Sequence, residues 1–120
     1  MKSILQLQIL VAGGCDKWCE ILNTRTEKPL ATSEIFDLQT LQWKKAADLP
    51  TPLSSAKLEY LGGVPTTIGG YDGNLRGKTD RMYQYDVMAD KWTINEKLRL
   101  NIPRNKPAVF QVPRTYFNNC

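Results

Sequence analysis

Apolar and polar positions alternate in short runs along this chain, and no long stretch repeats at the helical period. Leu5, Leu7 and Ile9 alternate with Gln6 and Gln8, so residues 4–12 read as a half-buried strand. Gly13-Gly14 ends it; glycine accepts positive φ and lets a second backbone approach closely. Residues 15–30 form a polar loop containing Lys, Asn, Thr and Pro29. Residues 32–38 and 42–46 read as a hairpin turned through Gln39-Thr40-Leu41. Asp48-Leu49-Pro50-Thr51-Pro52 breaks the sheet, because proline lacks the amide hydrogen a central strand donates. Residues 54–61 alternate again, and Gly62-Gly63 turns them into a strand over 64–69. Tyr71-Asp72-Gly73-Asn74 is rich in turn formers. A second hairpin spans 80–87 and 91–95, joined through Met88-Ala89-Asp90. Residues 107–112 repeat the phase of 55–60 and predict one more strand before a polar tail. The expected fold is all-β, built of short antiparallel strands.

The pattern is also duplicated. Val11-Ala12-Gly13-Gly14 and Thr67-Ile68-Gly69-Gly70 each end an apolar run in a glycine pair. Each is followed by a loop, an aromatic-Asp pair and a tryptophan: Phe36-Asp37 with Trp43, then Tyr85-Asp86 with Trp92. Both aromatic-to-tryptophan gaps are seven residues, and Trp43 to Trp92 is 49. Gly14 to Trp43 spans 29 residues against 22 from Gly70 to Trp92, so the first loop is seven longer. A period of about 50 residues marks a repeat architecture. The boundaries are one repeat over 4–50, a second over 51–98, a first strand of a further unit over 99–113, and a tail over 114–120.

These residues closely resemble the kelch motif. The second repeat matches best, through Gly69, Gly70, Tyr71, Asp72, Gly73, Tyr85, Asp86 and Trp92. The first departs from the pattern at Phe36, at Cys15-Asp16 and in its longer loop. The resemblance covers residues 4–112. It implies β-propeller blades, each a twisted four-stranded antiparallel sheet, and about two blades of an incomplete propeller. It also implies that Phe36, Trp43, Tyr85 and Trp92 fill the space between neighbouring sheets. Gly13, Gly14, Asp37, Gly69, Gly70 and Asp86 are then structural motif residues as well. Counted from the centre outward, the strands read b-c-d, a-b-c-d, a. Such ends suit either a piece of a larger propeller or head-to-tail association of copies.

Composition narrows the chemistry. Of 120 residues, 42% are hydrophobic and 23% charged, as in an ordinary globular chain. No apolar run reaches the ~20 residues of a membrane span. The net charge is +4, and all of the excess lies in residues 61–120, with nine basic and five acidic side chains. The basic residues are interleaved with Asp72, Asp80, Asp86, Asp90 and Glu96. A solvated face accounts for them better than a nucleic-acid stripe, so no nucleic acid and no membrane are expected as partners. There is no histidine, which removes imidazole bases and most zinc and copper sites. No metal or cofactor is expected. Three cysteines form no complete framework; Cys15 and Cys19 share one loop, and a bridge between them suits a secreted protein. The sequence does not fix the compartment; cytoplasm is favoured, and secretion stays open.

The resemblance implies a protein-binding module whose loops meet another protein, as in a ubiquitin-ligase substrate adaptor or an actin-associated protein. The candidate surface is the loops after the glycine pairs: Asp16, Lys17, Trp18 and Glu20 in the first, and Tyr71, Asp72, Asn74, Arg76 and Lys78 in the second. Trp18 belongs to no repeat position, and tryptophan and arginine are enriched at binding hot spots. The contrasting readings are a kelch-type enzyme acting on sugars (oxidase, hydrolase or isomerase) and a truncated product with no function of its own. The missing histidine argues against a copper oxidase, and no Gly-x-Ser-x-Gly or P-loop supports the others. The chain therefore reads as a non-enzyme.

Overall fold

The structure is a computed structural model, and it describes residues 7–16 and 28–114. Among the described residues there is no helix, so none is long and apolar enough to cross a membrane. Three antiparallel sheets make up the fold. The first contains β1 (Gln8–Ala12), β2 (Ser33–Asp37) and β3 (Gln42–Ala46), in that order. The second is formed by β5 (Lys57–Leu61), β6 (Val64–Ile68), β9 (Arg81–Asp86) and β10 (Lys91–Arg99), ordered β10-β9-β6-β5. Between them, β4 (Leu53–Ser54), β7 (Tyr71–Asp72) and β8 (Gly77–Lys78) form a small sheet ordered β4-β7-β8.

Register decides which side chains meet. Leu10 lies opposite Ile35, and Ala12 opposite Ser33, which faces Ala46. These positions alternate with Ile9, Phe36 and Trp43, which share the other face. In the second sheet Tyr85 pairs with Trp92, and Tyr83 stands two residues away on the same face. The two inner faces pack together: Ala46, Leu49, Leu53, Tyr83, Tyr85 and Trp92 are buried, with Leu10, Ala12, Ile35 and Leu58 against them. Gly62 and Gly63 have φ of 56° and 83° and join β5 to β6. Positive φ at both central residues is the two-residue hairpin turn whose twist matches the strands.

The duplication extends to the backbone hydrogen bonds. Gly14 N donates to Leu53 O at 2.8 Å, and Gly70 N to Arg104 O at 2.8 Å. Leu30 N donates to Gly14 O at 2.8 Å, and Thr79 N to Gly70 O at 2.9 Å. Leu49 N donates to Ala31 O and Leu100 N to Asp80 O, each at 2.7 Å. Positive φ recurs as well, at Leu41 (58°) and Asp90 (50°), and at Ser55 (57°) and Lys106 (50°). Each glycine pair thus returns the chain against the linker that follows its own hairpin.

The structure departs from the sequence reading in three places. The two-residue strands β7 and β8 fall where loops are expected, since two residues are too few to show a period, and the strand expected over 54–61 is broken at Ser55 (φ 57°), so that Ser54 ends β4 and β5 begins at Lys57. β10 runs to Arg99 rather than 95, past a register irregularity between Ile94 and Arg99. Residues 107–112 are not in a strand. They lack a ladder partner among the described residues, and a strand exists only as one of a pair. Their phase is also one residue off: Lys106 matches Ser55 in φ, so 107–112 corresponds to 56–61.

Candidate functional site

The loop after the second glycine pair is a tight hairpin shaped from beneath. Asp72 Oδ1 accepts from Thr51 Oγ1 at 2.7 Å, Asn74 N at 2.8 Å and Leu75 N at 3.1 Å. Such an aspartate mimics a turn of backbone and fixes the residues after it. Arg76 N closes the turn on Asp72 O at 2.8 Å, and Arg76 takes φ of 57°. Gly73 N donates to Pro52 O at 2.9 Å. A Cβ at Gly73 would stand 3.1 Å from Pro52 Cβ and 3.2 Å from Pro29 Cγ. The hairpin therefore rests on two prolines. Pro29 bridges Cys15 in antiparallel fashion, so the base of the first loop meets the second hairpin here. Cys15 is disulfide-bonded.

Asp16, Asn74, Arg76 and Lys78 are exposed on this surface, and Tyr71 is half-buried, opposite Lys78 in register. Asp72 is a correction. It is only 4% exposed, and its carboxylate is engaged from within, so it supports the surface rather than forming part of it. Leu75, 66% exposed at the tip, was not expected. A leucine among turn formers is the signal that points to it. Lys17, Trp18 and Glu20 lie outside the described residues. Among the described residues no three of Cys, Asp and Glu gather to hold a metal ion.

The ring pairs occupy a second locality. Phe36 and Trp43 have centroids 4.9 Å apart at 47°, and Tyr85 and Trp92 5.0 Å apart at 45°. The pairs are near-copies in geometry, but their surroundings differ. Trp92 is 8% exposed and donates from Nε1 to Ala47 O at 3.0 Å. Asp90 Oδ1 accepts from Ala47 N at 2.9 Å and from the Tyr85 hydroxyl. The second hairpin thus grips both polar groups of one peptide residue just past β3. Trp43 is 54% exposed, contrary to the expectation that it fills a gap between sheets. Each pair turns to the face away from its own following linker, and only Tyr85–Trp92 has a described sheet there. Asp37 and Asp86 shape their turns: Asp37 Oδ1 accepts from Gln39 N and Thr40 N, and Asp86 Oδ1 from Ala89 N. Gly13 and Gly69 stand where a linker carbonyl crosses.

A cleft of about 480 Å³ opens beside this joint, lined by Asp37, Gln42, Lys44, Tyr85, Val87 and Asp90 among others. Its electrostatics belong to the joint itself. Burial, and then the bond to Asp90, push the Tyr85 phenol up to about 12. The Tyr85 hydroxyl first, and the Ala47 amide second, hold the Asp90 carboxyl below its ordinary value. A phenol raised by folding contributes stability that is whole below its unfolded value of about 10 and lost as pH climbs through about 12. A carboxyl lowered by folding contributes stability present above its unfolded value of about 4 and lost as pH falls through the folded value. Tyr85→Phe removes the first effect and weakens the second, because the Ala47 amide still donates to Asp90. Urea midpoints should then fall less steeply than in the parent above about pH 10, and the acid limb below about pH 4 should also flatten. Tyr83, raised mainly by burial, keeps a remainder of the alkaline limb.

The basic excess is partly neutralised within the fold. Arg81 pairs with Glu96 at 2.9 Å, and Arg99 with Asp80 at 3.3 Å and with Glu96. This is a mixed-sign cluster rather than a basic stripe. No protein-family model matches the chain.

Proposed function

We propose that the chain forms kelch-type β-propeller blades and acts as a protein-binding module through the loops after its glycine pairs. The repeated glycine-to-linker hydrogen bonds, the two ring pairs of equal geometry and the four-stranded meander β5-β6-β9-β10 support the blade reading. One observation carries the binding reading. The 73–78 hairpin is held rigidly from below by Asp72 while Asn74, Leu75, Arg76 and Lys78 point to solvent. A preorganised loop that offers one apolar and several polar groups loses little entropy on meeting a partner. Its mixed polar and apolar character suits a protein surface.

A triple variant, Leu75→Ala with Arg76→Ala and Lys78→Ala, tests it. All three residues are exposed or at the turn, so stability should stay within about 0.5 kcal/mol per site. Binding to a captured partner should weaken by about 2 kcal/mol or more, read by titration. The control is Val87→Ala with Met88→Ala, on a hairpin turn in the other half of that repeat, where Met88 is 96% exposed. Equal loss in the two variants, or none in the first, removes the hairpin from the binding surface.

A further inference from the structure

We infer that β1 takes residues 107–112 of a second copy of this chain as its missing neighbour, joining copies head to tail. β6 is flanked on both sides, by β5 and β9, whereas β1 pairs with β2 alone among the described residues. An unpaired edge offers a row of free amide and carbonyl groups to any strand of matching register. β1 and β6 are equivalent, each five residues long and each running into the glycine pair.

The segment that matches β5 is 107–112. Leu53 O and Arg104 O both accept from the second glycine of a pair, and Ser55 and Lys106 share positive φ. From Asn105 to Phe110 the side chains alternate between half-buried and exposed, the period of an extended strand. Phe110 is 85% exposed and Val112 50%. In its own chain this segment lies against β5, through Gln111 Nε2 to Tyr60 O at 2.7 Å and Lys106 N to Ser55 O at 2.7 Å.

The β5–β6 ladder supplies the register. Its pairs Lys57 with Ile68, Leu58 with Thr67 and Glu59 with Thr66 carry over to Ala108 with Ala12, Val109 with Val11 and Phe110 with Leu10. Phe110 then joins Leu10 on the face that packs into the core. The same copy would cover the outer face of the first sheet, where Ile9, Phe36 and Trp43 stand in line across three strands. Ile9 is 47% exposed, Val11 45% and Trp43 54%. Phe36 and Leu41 occupy the places of Tyr85 and Asp90, so the peptide grip is missing there, and the neighbouring row of that face, Val11, Glu34 and Lys45, brings one carboxylate and one ammonium to the joint between copies.

Sedimentation velocity of the full chain from about 1 to 100 µM tests this. The sedimentation coefficient should rise with concentration. Phe110→Asp should weaken association at least tenfold with an unchanged circular-dichroism spectrum, since the ring contributes little to the single chain. Ile102→Asp, at a site 60% exposed outside the segment, should associate like the parent. Mixing the single variants Val11→Cys and Val109→Cys under oxidation should give a disulfide between copies at those two positions, read by peptide mapping. A parent that stays monomeric throughout, a Phe110→Asp variant that associates as well as the parent, or no cross-link between those positions overturns the proposal.

Discussion

Replacing Trp92 by alanine is expected to lower the unfolding free energy by about 3–5 kcal/mol, while the same change at Trp43 costs less than about 1 kcal/mol. The two tryptophans occupy the same repeat position and stack on their aromatic neighbours at nearly the same distance and angle. Their coverage differs most, 8% exposure against 54%. Truncating Trp92 opens a cavity between the two larger sheets and removes the donor to Ala47 O. Truncating Trp43 removes area that, in the single chain, water already reaches in large part. A small domain has only about 5–15 kcal/mol in total, so the first variant should show a large fall in urea midpoint. Equal losses would mean that the stacking within each sheet, rather than the burial between sheets, holds the fold. Trp92→Phe separates the parts. It keeps most of the bulk and leaves one carbonyl short of a partner, at about 1–3 kcal/mol.

Gly69→Ala should destabilise by more than about 3 kcal/mol or prevent folding, whereas Gly62→Ala should cost about 1–2 kcal/mol. Both glycines have left-handed φ, 65° and 56°, so each variant carries the conformational strain of an L residue there. The surroundings separate them. At Gly62 an added Cβ meets nothing within 4 Å. At Gly69 it would lie 2.5 Å from Arg104 O and 3.2 Å from Leu100 Cδ1. That carbonyl is fixed, because it accepts from Gly70 N at 2.8 Å. Moving it breaks the bond that ties the linker to the glycine pair. Gly13 repeats the arrangement against Leu53 O and Leu49 Cδ1, so Gly13→Ala should match Gly69→Ala. Urea melts of the three variants decide this, and a Gly69→Ala variant no weaker than Gly62→Ala would show that the linker yields without cost.

Hydrogen bonds between residues far apart in the chain decide which polar side chains face the surface. Asp72 looks like a surface carboxylate because it sits in a run of turn formers. Thr51, 21 residues earlier, turns it inward through a hydrogen bond that no local pattern announces. Asp90 reads as an ordinary turn residue, yet it grips Ala47, 43 positions away. Leu41 stands in its place in the first repeat, and that substitution separates a gripping hairpin from a bare one.

Alternation and glycine placement by themselves determined that this chain is all-β, where its longer strands lie, and that one unit is written twice at a spacing of 49 residues between tryptophans. Those are local properties: a period of two fixes which side chains share a face, and positive φ fixes where the chain turns. Only the tertiary structure decided which faces are covered. It buried Trp92 and exposed Trp43, gathered β4, β7 and β8 into a sheet, and left 107–112 without a ladder. Burial and strand pairing depend on what lies opposite, and a strand's own residues carry no record of its neighbour.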